Sequence, residues 1–309
     1  MISRQKRIRH RFEYLLTKGI MRFIWLFPWR VAMLLADGLG LFIFKILKIR
    51  REVTEQNLRH AFPSKTRQER YEIARNTYRH FARMSFEVIR LARLKREEIL
   101  SLGVLEDQSL YDEVKKTGKG SILLTGHFGN WELFGAFISQ LGYPVSFLVK
   151  KQTNPLTDQL LHQFRARVGA EIIPLGPAVR GIIKGLRANR FVAMVADQDA
   201  GPGGMFINFF NRPSSTATGP AVLAIRSGAP VVFGYSVRQQ NGKYRFISER
   251  IHVDYKKGLT EQNIRSFLKA YSSLLEKVIR AHPDHWFWMH RRWKTESEIG
   301  KHDIREEQP

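Results

Sequence analysis

The chain has 309 residues, of which 43% are hydrophobic, so it can bury a substantial core as one large domain or one domain with an appendage. Its 51 Lys and Arg residues outnumber 28 Asp and Glu residues, and the formal charge of +23 predicts an anionic partner such as nucleic acid, acidic lipid or an acidic carrier protein. Because the chain has no cysteine, disulfides, thiolate metal sites and catalysis through a cysteine thioester are excluded.

The amino terminus carries a basic cluster with no acid before Glu13, made of Arg4, Lys6, Arg7, Arg9 and Arg11. Such a cluster suits an anionic membrane surface, and a solvated, partly disordered start is an equal alternative. The other basic residues are spread through the chain without zinc-finger spacing, an aromatic RNA-binding motif or leucine heptads. We therefore expect no nucleic-acid partner.

An apolar segment at residues 20–47 follows, and Arg22, Arg30, Asp37 and Lys45 interrupt it. No charge-free stretch in it reaches the roughly 18 to 20 residues of a spanning helix. No uninterrupted apolar run leads into a small-residue cleavage site, as a signal peptide would require. The sequence predicts a membrane-associated segment that the protein keeps.

A helix with Pro28 in its first turn would place the charges of this segment within one sector of roughly 80°. The sector contains Arg30, Asp37, Lys45 and Lys48. That pattern is typical of a helix lying in the membrane interface. Two alternatives stay open: a tilted anchor whose polar side packs on the protein, and a buried amphipathic core helix.

Residues 53–309 are predicted to form an α/β domain behind the appendage of residues 1–52. Thr66 and Glu69 make a capping box for a long helix with one apolar face. From residue 121 onward, short apolar runs alternate with helical stretches, which indicates βαβ units and an at least partly parallel sheet. The predicted elements are SILLTG, a helix near 131–141, VSFLVK, a helix near 156–168, FVAMVAD, VVFGYS, and a helix capped by Thr260 and ended by His282 and Pro283.

The segment LLTGHFGNWELFG carries the candidate chemistry. His127 follows the first predicted strand, and Asn130 is placed to cap a helix whose first turn contains Glu132. In one continuous helix these two side chains would point about 140° apart, but Gly126 and Gly129 permit a turn that brings them together. An ionised Glu132 would then fix the tautomer of His127, which could act as a general base toward a hydroxyl.

The alternative for this segment is a structural histidine at a strand end beside an ordinary first-turn acid. No second clustered histidine supports a metal site, and no G-x-S-x-G motif supports a serine nucleophile. Direct transfer between two bound substrates therefore fits better than a covalent acyl-enzyme. We expect no metal and no cofactor.

Several motifs occur in an order that resembles the bacterial lipid A biosynthesis acyltransferases, the late lauroyl and myristoyl transferases of the lysophospholipid acyltransferase-like superfamily. They are HFGNWE, NPLTD with FRARVG, ADQDAGPGGMFINFF with STATGPAVLAIRSGAPVV, and WFWMHRRWK. The similarity spans nearly the whole chain. It implies a mixed sheet flanked by helices of the glycerolipid acyltransferase type, together with an amino-terminal apolar, membrane-associated helix.

The resemblance also implies the roles of particular residues. The catalytic histidine and acid of the family fall on His127 and Glu132, and its active-site arginine falls on Arg165, with Arg167 as a neighbour. Acyl carrier protein would donate the chain to a lipid A precursor at the bacterial inner membrane, with the catalytic domain facing the cytoplasm. Arg165 and Arg167 could bind acceptor phosphate or the developing oxyanion, and the alternative for both, stronger for Arg167 than for Arg165, is a solvated basic face of the helix.

Five further residues are candidate substrate or loop contacts. Asp197 and Gln198 end a strand at a glycine-rich loop, where α/β folds place ligand contacts, and we interpret them as loop-shaping or sugar-hydroxyl contacts, as we do Asp199 beside them. Asn130 lies within the reaction-centre segment. Arg292 could meet anionic groups of the acceptor or simply close the domain beside the membrane.

Two rival functions stay open. One is an acyltransferase of the same fold that acts on another lipid, such as a mannosylated phosphoinositide, with acyl-CoA as donor. The other is a basic membrane-peripheral or nucleic-acid-binding protein without catalysis. The second explains the charge but leaves HFGNWE without a role.

Overall fold

A computed structural model describes residues 4–175 and 178–295. The strands are β1 (Gly103–Leu105), β2 (Ser121–Thr125), β3 (Val145–Val149), β4 (Glu171–Pro174), β5 (Phe191–Val195), β6 (Met205–Phe209), β7 (Arg212–Thr216), β8 (Val231–Arg238) and β9 (Tyr244–Ile251). The helices are α1 (Arg4–Leu26), α2 (Trp29–Phe42), α3 (Arg51–Ala61), α4 (Arg67–Leu91), α5 (Arg96–Leu100), α6 (Gln108–Lys116), α7 (Trp131–Gln140), α8 (Pro155–Arg167), α9 (Ala178–Arg187), α10 (Gly219–Ser227) and α11 (Glu261–Ala281). The last residues of the predicted α/β domain, 296–309, lie outside the described part.

A seven-stranded sheet in the order β1-β9-β8-β2-β5-β3-β4 forms the centre of the fold. The strands from β8 to β4 are parallel, β9 is antiparallel to β8, and β1 is parallel to β9. This confirms the expected mixed sheet. Strand β2 lies at the middle of the sheet and all five of its residues are buried. Its sequence is therefore largely apolar and does not alternate between apolar and polar residues.

Helices cover both faces of the sheet, because successive side chains of a strand point to opposite sides. Leu123 of β2 packs with α7 and the neighbouring helices, whereas Ile122 and Leu124 pack in a second cluster with α9, α10 and α11. The antiparallel pair β6–β7 forms a separate hairpin. Its two turn residues, Phe210 and Asn211, have φ values of 53° and 58°, as a tight two-residue hairpin requires.

The starts of α4 and α11, which the sequence predicts from their capping residues, are confirmed. Thr66 and Glu69 form a reciprocal capping box at the start of α4. Thr260 accepts a hydrogen bond from the amide of Asn263 at the start of α11. Each cap satisfies backbone N–H groups that have no partner inside the first helical turn.

The amino-terminal region differs from the single helix that the sequence predicted. The basic cluster is helical and belongs to α1, which precedes the expected helix, and Pro28 is the N-cap of α2 instead of a first-turn residue. Asp37 does not face solvent. It forms ion pairs with Arg79, at 2.9 Å, and with Arg83, both on α4, so part of the expected polar stripe packs on the protein.

Small residues let α2 approach α4 closely. Ala32, Ala36 and Gly40 are its buried residues, and a Cβ atom on Gly40 would lie 2.7 Å from the carbonyl oxygen of Tyr78. The large apolar side chains of α2, Leu34 among them, are left exposed. Within the described residues, no helix combines the length and the apolar character needed to cross a bilayer.

Candidate active site

The turn after β2 places His127 at the carboxyl edge of the sheet. Gly129 has a φ of 60°, and a Cβ atom there would lie 2.0 Å from the carbonyl oxygen of Ser236, so only glycine fits. The carbonyl oxygen of His127 accepts a hydrogen bond from the amide of Phe287 at 3.0 Å, and the amide of Gly129 donates to the carbonyl of His285 at 2.8 Å. The segment after α11 therefore fixes this turn through two backbone hydrogen bonds.

Asp197 is the residue that hydrogen-bonds the ring of His127. The Asp197 Oδ1 atom lies 2.6 Å from His127 Nδ1, and Asp197 Oδ2 accepts hydrogen bonds from the His127 amide at 2.8 Å and from Trp286 Nε1 at 2.7 Å. The strands explain this pairing. Thr125 of β2 and Val195 of β5 are partners in register, and His127 and Asp197 each follow by two residues.

From the sequence we expect Glu132 to orient the imidazole and Asp197 to shape a loop or contact a sugar hydroxyl. In the structure the carboxylate at Nδ1 is that of Asp197, whose side chain is 1% exposed. A proton on Nδ1 satisfies this carboxylate, which leaves Nε2 free to accept a proton. Gln198 Nε2 lies 3.5 Å from that nitrogen, and the Trp131 ring lies edge-on with its centre 4.9 Å from the imidazole centre.

Burial and charge act on this pair in opposite directions. Burial alone would lower the pKa of His127, but the charge and hydrogen bond of Asp197, with the charge of Glu132, outweigh it, so the pKa is raised above the usual histidine value. Burial would likewise raise the pKa of Asp197, yet His127 and the Trp286 hydrogen bond hold it below the usual range. Asp197 is therefore ionised wherever His127 titrates.

Glu132 pairs with Arg165 instead of with the imidazole. Arg165 Nη2 donates to Glu132 Oε1 at 2.5 Å and Arg165 Nε donates to Oε2 at 3.2 Å, so the guanidinium grips the carboxylate through two bonds. Each side chain is 14% exposed. The pair joins the first turn of α7 to the last turn of α8.

His127, Glu132 and Arg165 line one cavity of about 330 Å³ between the sheet and helices α7 and α8. Its polar lining also includes Lys150 and Gln198. Its apolar walls come from β2, β3, β5 and α7, and they include Leu123, Phe134, Phe147, Leu148, Ala193 and Val195. A cavity of this size, with a few convergent polar groups, is typical of a small-molecule site.

Three of the candidate substrate contacts do not line this cavity. Asn130 is fully buried, and its Oδ1 atom caps α7 by accepting from the amide of Leu133 at 3.0 Å. Arg292 is 2% exposed and donates to the carbonyl of Ser215 at 2.5 Å, so burial removes it from any acceptor. Arg167 is exposed and lies outside the lining of the cavity.

Asp199 shapes the loop after β5. Its carboxylate accepts hydrogen bonds from Thr295 Oγ1 at 2.8 Å and from the amide of Gly201 at 2.9 Å. Its own amide donates to His290 Nε2 at 3.1 Å. The loop-shaping interpretation therefore describes Asp199, whereas Asp197 contacts His127.

A signal for the pairing of His127 with Asp197 was present in the sequence. Each residue follows a buried apolar run by the same short distance, and adjacent parallel strands bring such residues together at one edge. Trp286 and Ser236 gave no comparable signal, because their contacts depend on how distant segments pack. Glu87, whose carboxylate accepts from Asn130 Nδ2 at 2.9 Å, resembled any other helical acid in the sequence.

Comparison with known proteins gives a consistent family. A family model described as bacterial lipid A biosynthesis acyltransferase matches residues 1–295. The lipid A biosynthesis lauroyltransferase of Escherichia coli K12 is 26% identical over 291 residues, which cover 91% of this chain and 90% of that protein. A lipid A biosynthesis acyltransferase of Haemophilus influenzae is 28% identical over 90% of this chain and 88% of its own length.

A second kind of relative matches over a shorter stretch. The phosphatidylinositol mannoside acyltransferase of Mycobacterium tuberculosis CDC 1551 is 25% identical over 186 residues. The match covers 59% of this chain, and the chain spans little more than half of that relative, 57% of its length.

Proposed function

The chain belongs to the bacterial lipid A biosynthesis acyltransferase family, and we propose that it transfers a fatty acyl group from the thioester of acyl carrier protein to a hydroxyl of a lipid A precursor. The observation that carries the proposal is the His127–Asp197 pair, which opens on a partly apolar cavity beside the Glu132–Arg165 pair. A base, a cation and an apolar cavity are what acyl transfer from a long-chain thioester needs.

His127 Nε2 takes the proton of the acceptor hydroxyl while that oxygen attacks the thioester carbonyl carbon. The tetrahedral intermediate collapses, the carbon–sulfur bond breaks, and the leaving thiolate takes the proton from the imidazolium. Asp197 holds the Nδ1 proton throughout and stabilises the imidazolium cation, since its carboxylate is ionised and buried against the ring. The products are an ester and a free thiol, so no covalent enzyme intermediate is needed.

Arg165 stabilises negative charge in this step. Its guanidinium uses two N–H groups on Glu132 and keeps the others for the oxyanion or for an acceptor phosphate. Glu132 has two effects: it fixes the orientation of Arg165, and its charge helps to raise the pKa of His127. The histidine, acid and arginine of the family pattern thus act together with Asp197 as two pairs, His127–Asp197 and Glu132–Arg165.

The apolar walls of the cavity suit the acyl chain of the donor. Leu123, Phe147 and Ala193 lie on the sheet side, and Phe134 lies on α7. Each methylene removed from water contributes about 0.8 kcal/mol, so a long chain would be held firmly by such walls. The bound chain would place its thioester among the polar lining residues, beside His127.

The amino-terminal helices suit an anionic membrane surface, where a lipid acceptor resides. Large apolar side chains project from α1 and α2, among them Phe12, Leu15, Leu34 and Phe42, each close to or above half exposed. Basic side chains accompany them along the same helices. Exposed apolar area flanked by cations is the composition of a helix that lies in the interface, and it does not require a spanning segment.

The test is to incubate the purified protein with lauroyl or myristoyl acyl carrier protein and a tetraacylated lipid A precursor bearing Kdo, and to weigh the lipid products. The expected result is a gain of one acyl mass that His127→Ala abolishes while circular dichroism stays unchanged. An undiminished gain in the His127→Ala protein would contradict the proposed base. No gain with either donor would contradict the proposed donor and acceptor.

The similarity to mycobacterial phosphatidylinositol mannoside acyltransferases favours a second candidate function, in which the acceptor is a mannosylated phosphoinositide. The same mechanism would apply, with acyl-CoA as donor. Parallel incubation with both acceptors and both donors, followed by mass spectrometry, separates the two candidates. A product only from the phosphoinositide would replace the first proposal by the second.

A further inference from the structure

The helix α1 is held at two points along its length. In its first half, Asn154 Nδ2 donates to the carbonyl oxygen of His10 and to Glu13 Oε2, both at 2.9 Å. Near its end, Trp25 Nε1 donates to the carbonyl oxygen of Ile89 on α4 at 3.0 Å. His10 and Ile24 are the buried residues of α1, and they lie beside these two attachments.

Between the attachments α1 does not pack closely on the domain. A groove of about 160 Å³ separates the middle of α1 from α4 and α8. All of its lining side chains are uncharged, and most are apolar: Thr17, Ile20, Met21, Val88, Ile89, Thr157, Leu160, Leu161 and Phe164. A groove without a charged or strongly polar wall offers a ligand only apolar contact, which suits a hydrocarbon chain.

The groove continues into an exposed apolar surface of the same helix. Leu16 is 53% exposed and Phe23 is 54% exposed, and Ile20, which lines the groove, is 48% exposed. Lys18 follows Thr17 and Arg22 follows Met21, so each lies about 100° around the helix from a groove-lining residue, on the side away from Leu16 and Phe23. In the described part of the chain neither forms an ion pair with an acid. The surroundings of the groove therefore match a ligand that combines hydrocarbon with negative charge.

We propose that the groove beneath the middle of α1 receives one acyl chain of an anionic bilayer phospholipid, whose phosphate group meets Lys18 and Arg22. This site differs from the cavity of the reaction centre. Phe164 lines the groove and Arg165, the next residue of α8, lines the catalytic cavity. The bound acyl chain fills the space between α1 and the domain and so attaches α1 to the membrane surface.

The size of the groove decides against a protein helix as its occupant. A helix with its side chains is about 10 Å or more across, and a space of about 160 Å³ under α1 cannot take it. A hydrocarbon chain is thin enough to enter between two helices. Its transfer from water is favourable by about 0.8 kcal/mol for each methylene.

The experiment uses the full chain and vesicles of phosphatidylglycerol that contain a lipid with a diazirine midway along one acyl chain. After illumination, mass spectrometry of peptides locates the crosslinks. The expected result is crosslinks on α8 between Thr157 and Phe164, in addition to any on the outer surface of α1. Crosslinks confined to the outer surface of α1 and α2, or no vesicle binding at all, would overturn the proposal.

Two filling variants and a matched control complete the test. Thr157→Phe fills the groove from α8 and Met21→Phe fills it from α1, and each should remove the α8 crosslinks while vesicle binding persists. Gln163→Phe, on an exposed position of α8, should leave them unchanged. If both filling variants crosslink like the wild type, the chain does not enter the groove. No step of this experiment depends on acyl transfer, so its failure and that of the proposed function are separable.

The charge is tested with the same lipid probe. Lys18→Gln and Arg22→Gln should each lower crosslinking from phosphatidylglycerol vesicles about fivefold, the factor expected for one basic residue at an anionic surface. In vesicles of phosphatidylcholine the wild type should crosslink less and the two variants should match it. Equal crosslinking from both kinds of vesicle would overturn the role of the phosphate group.

Discussion

At the scale of single residues, the proposed reaction centre consists of two side-chain pairs with different tasks. In the proposed mechanism His127 and Asp197 handle the proton, since the buried carboxylate contacts Nδ1 and leaves Nε2 as the base. Glu132 and Arg165 form the pair that we propose stabilises negative charge. Because the two pairs share one cavity, removing a member of either should affect rate more than folding.

The pH dependence of the reaction should report the first pair. A base must be neutral to act, so the rate of the wild type should fall as pH falls through the raised pKa of His127. In Asp197→Asn the carboxylate no longer raises this pKa, so the inflection should move to lower pH, and kcat should fall by about 10²- to 10⁴-fold. The measurement is kcat against pH for both proteins. An inflection that stays in place would show that Asp197 does not act on the imidazole.

Arg165 and Arg167 provide a matched pair of substitutions on α8. Arg165→Gln removes the cation from the cavity and should lower kcat by about 10²-fold, the usual loss when one group that stabilises an oxyanion is removed. Arg167→Gln, at an exposed position, should leave kcat within about twofold. Steady-state kinetics of both variants is the measurement, and equal losses would contradict the separation of their roles.

At the scale of elements, a buried polar network fixes the turn that carries His127. Glu87 on α4 forms an ion pair with Arg238 on β8, and its carboxylate also accepts from Tyr244 at 2.6 Å and from Asn130 at 2.9 Å. Asn130 in turn caps α7. These contacts connect α4, strands β8 and β9 and the start of α7 through the buried carboxylate of Glu87.

Breaking this network should cost stability. Glu87→Leu leaves Arg238, whose side chain is 10% exposed, as an unpaired cation and should lower the free energy of unfolding by about 3 to 5 kcal/mol. Glu87→Leu combined with Arg238→Met should recover only part of that loss, because no charge is then unpaired but Tyr244 and Asn130 still lack the acceptor that Glu87 supplied. Glu113→Leu, which breaks an exposed pair with Arg250, should cost no more than about 1 kcal/mol. Urea unfolding followed by circular dichroism measures all three, and equal losses would contradict the argument.

The strand β5 should set the length of the transferred chain. Ala193 is a small residue of this strand that lines the cavity, and Ala193→Leu would shorten the space by about three methylenes, shifting preference toward shorter donors. Met194→Leu points to the opposite face of the sheet and conserves volume, so it serves as the control. Competition between donors of different length, read by mass spectrometry, tests this. An unchanged preference in Ala193→Leu would place the chain elsewhere.

Sequence reasoning identified the elements that have a strong pattern and missed those that do not. The apolar run of β2 and the capping box of α4 can each be recognised from a few consecutive residues. The three-residue edge strand β1 and the four-residue β4 are too short to show a period, and they depend on neighbouring strands. The same limit explains the site: His127, Glu132 and Arg165 were predicted, but which acid contacts the imidazole depends on the register of β2 with β5.

At the scale of the whole molecule, positive charge and exposed apolar area should contribute separately to the proposed membrane binding. The formal charge of +23 acts over a distance that shrinks from about 10 Å at 0.1 M salt to about 3 Å at 1 M. The apolar side chains of α1 and α2 are insensitive to such screening. Binding to anionic vesicles should therefore weaken with salt but not vanish.

The remaining binding at high salt should depend on the amino-terminal helices. Phe12→Glu combined with Leu34→Glu should abolish it, since both side chains are exposed apolar residues of that surface. Val104→Glu alters an equally exposed apolar residue on β1 and should leave it unchanged. Vesicle sedimentation at low and high salt is the measurement. Complete loss of wild-type binding at high salt would show that charge alone attaches the protein.

The indole of Trp286, which donates to Asp197, belongs to one of the last described segments of the chain. A ribosome adds residues from the amino terminus, so α1 and α2 emerge long before this tryptophan does. During synthesis α1 and α2 are therefore made well before the segment that supplies the Trp286 hydrogen bond to Asp197. Under the proposed function, a nascent chain has the helices proposed to meet the bilayer before it has the complete set of contacts around the proposed base.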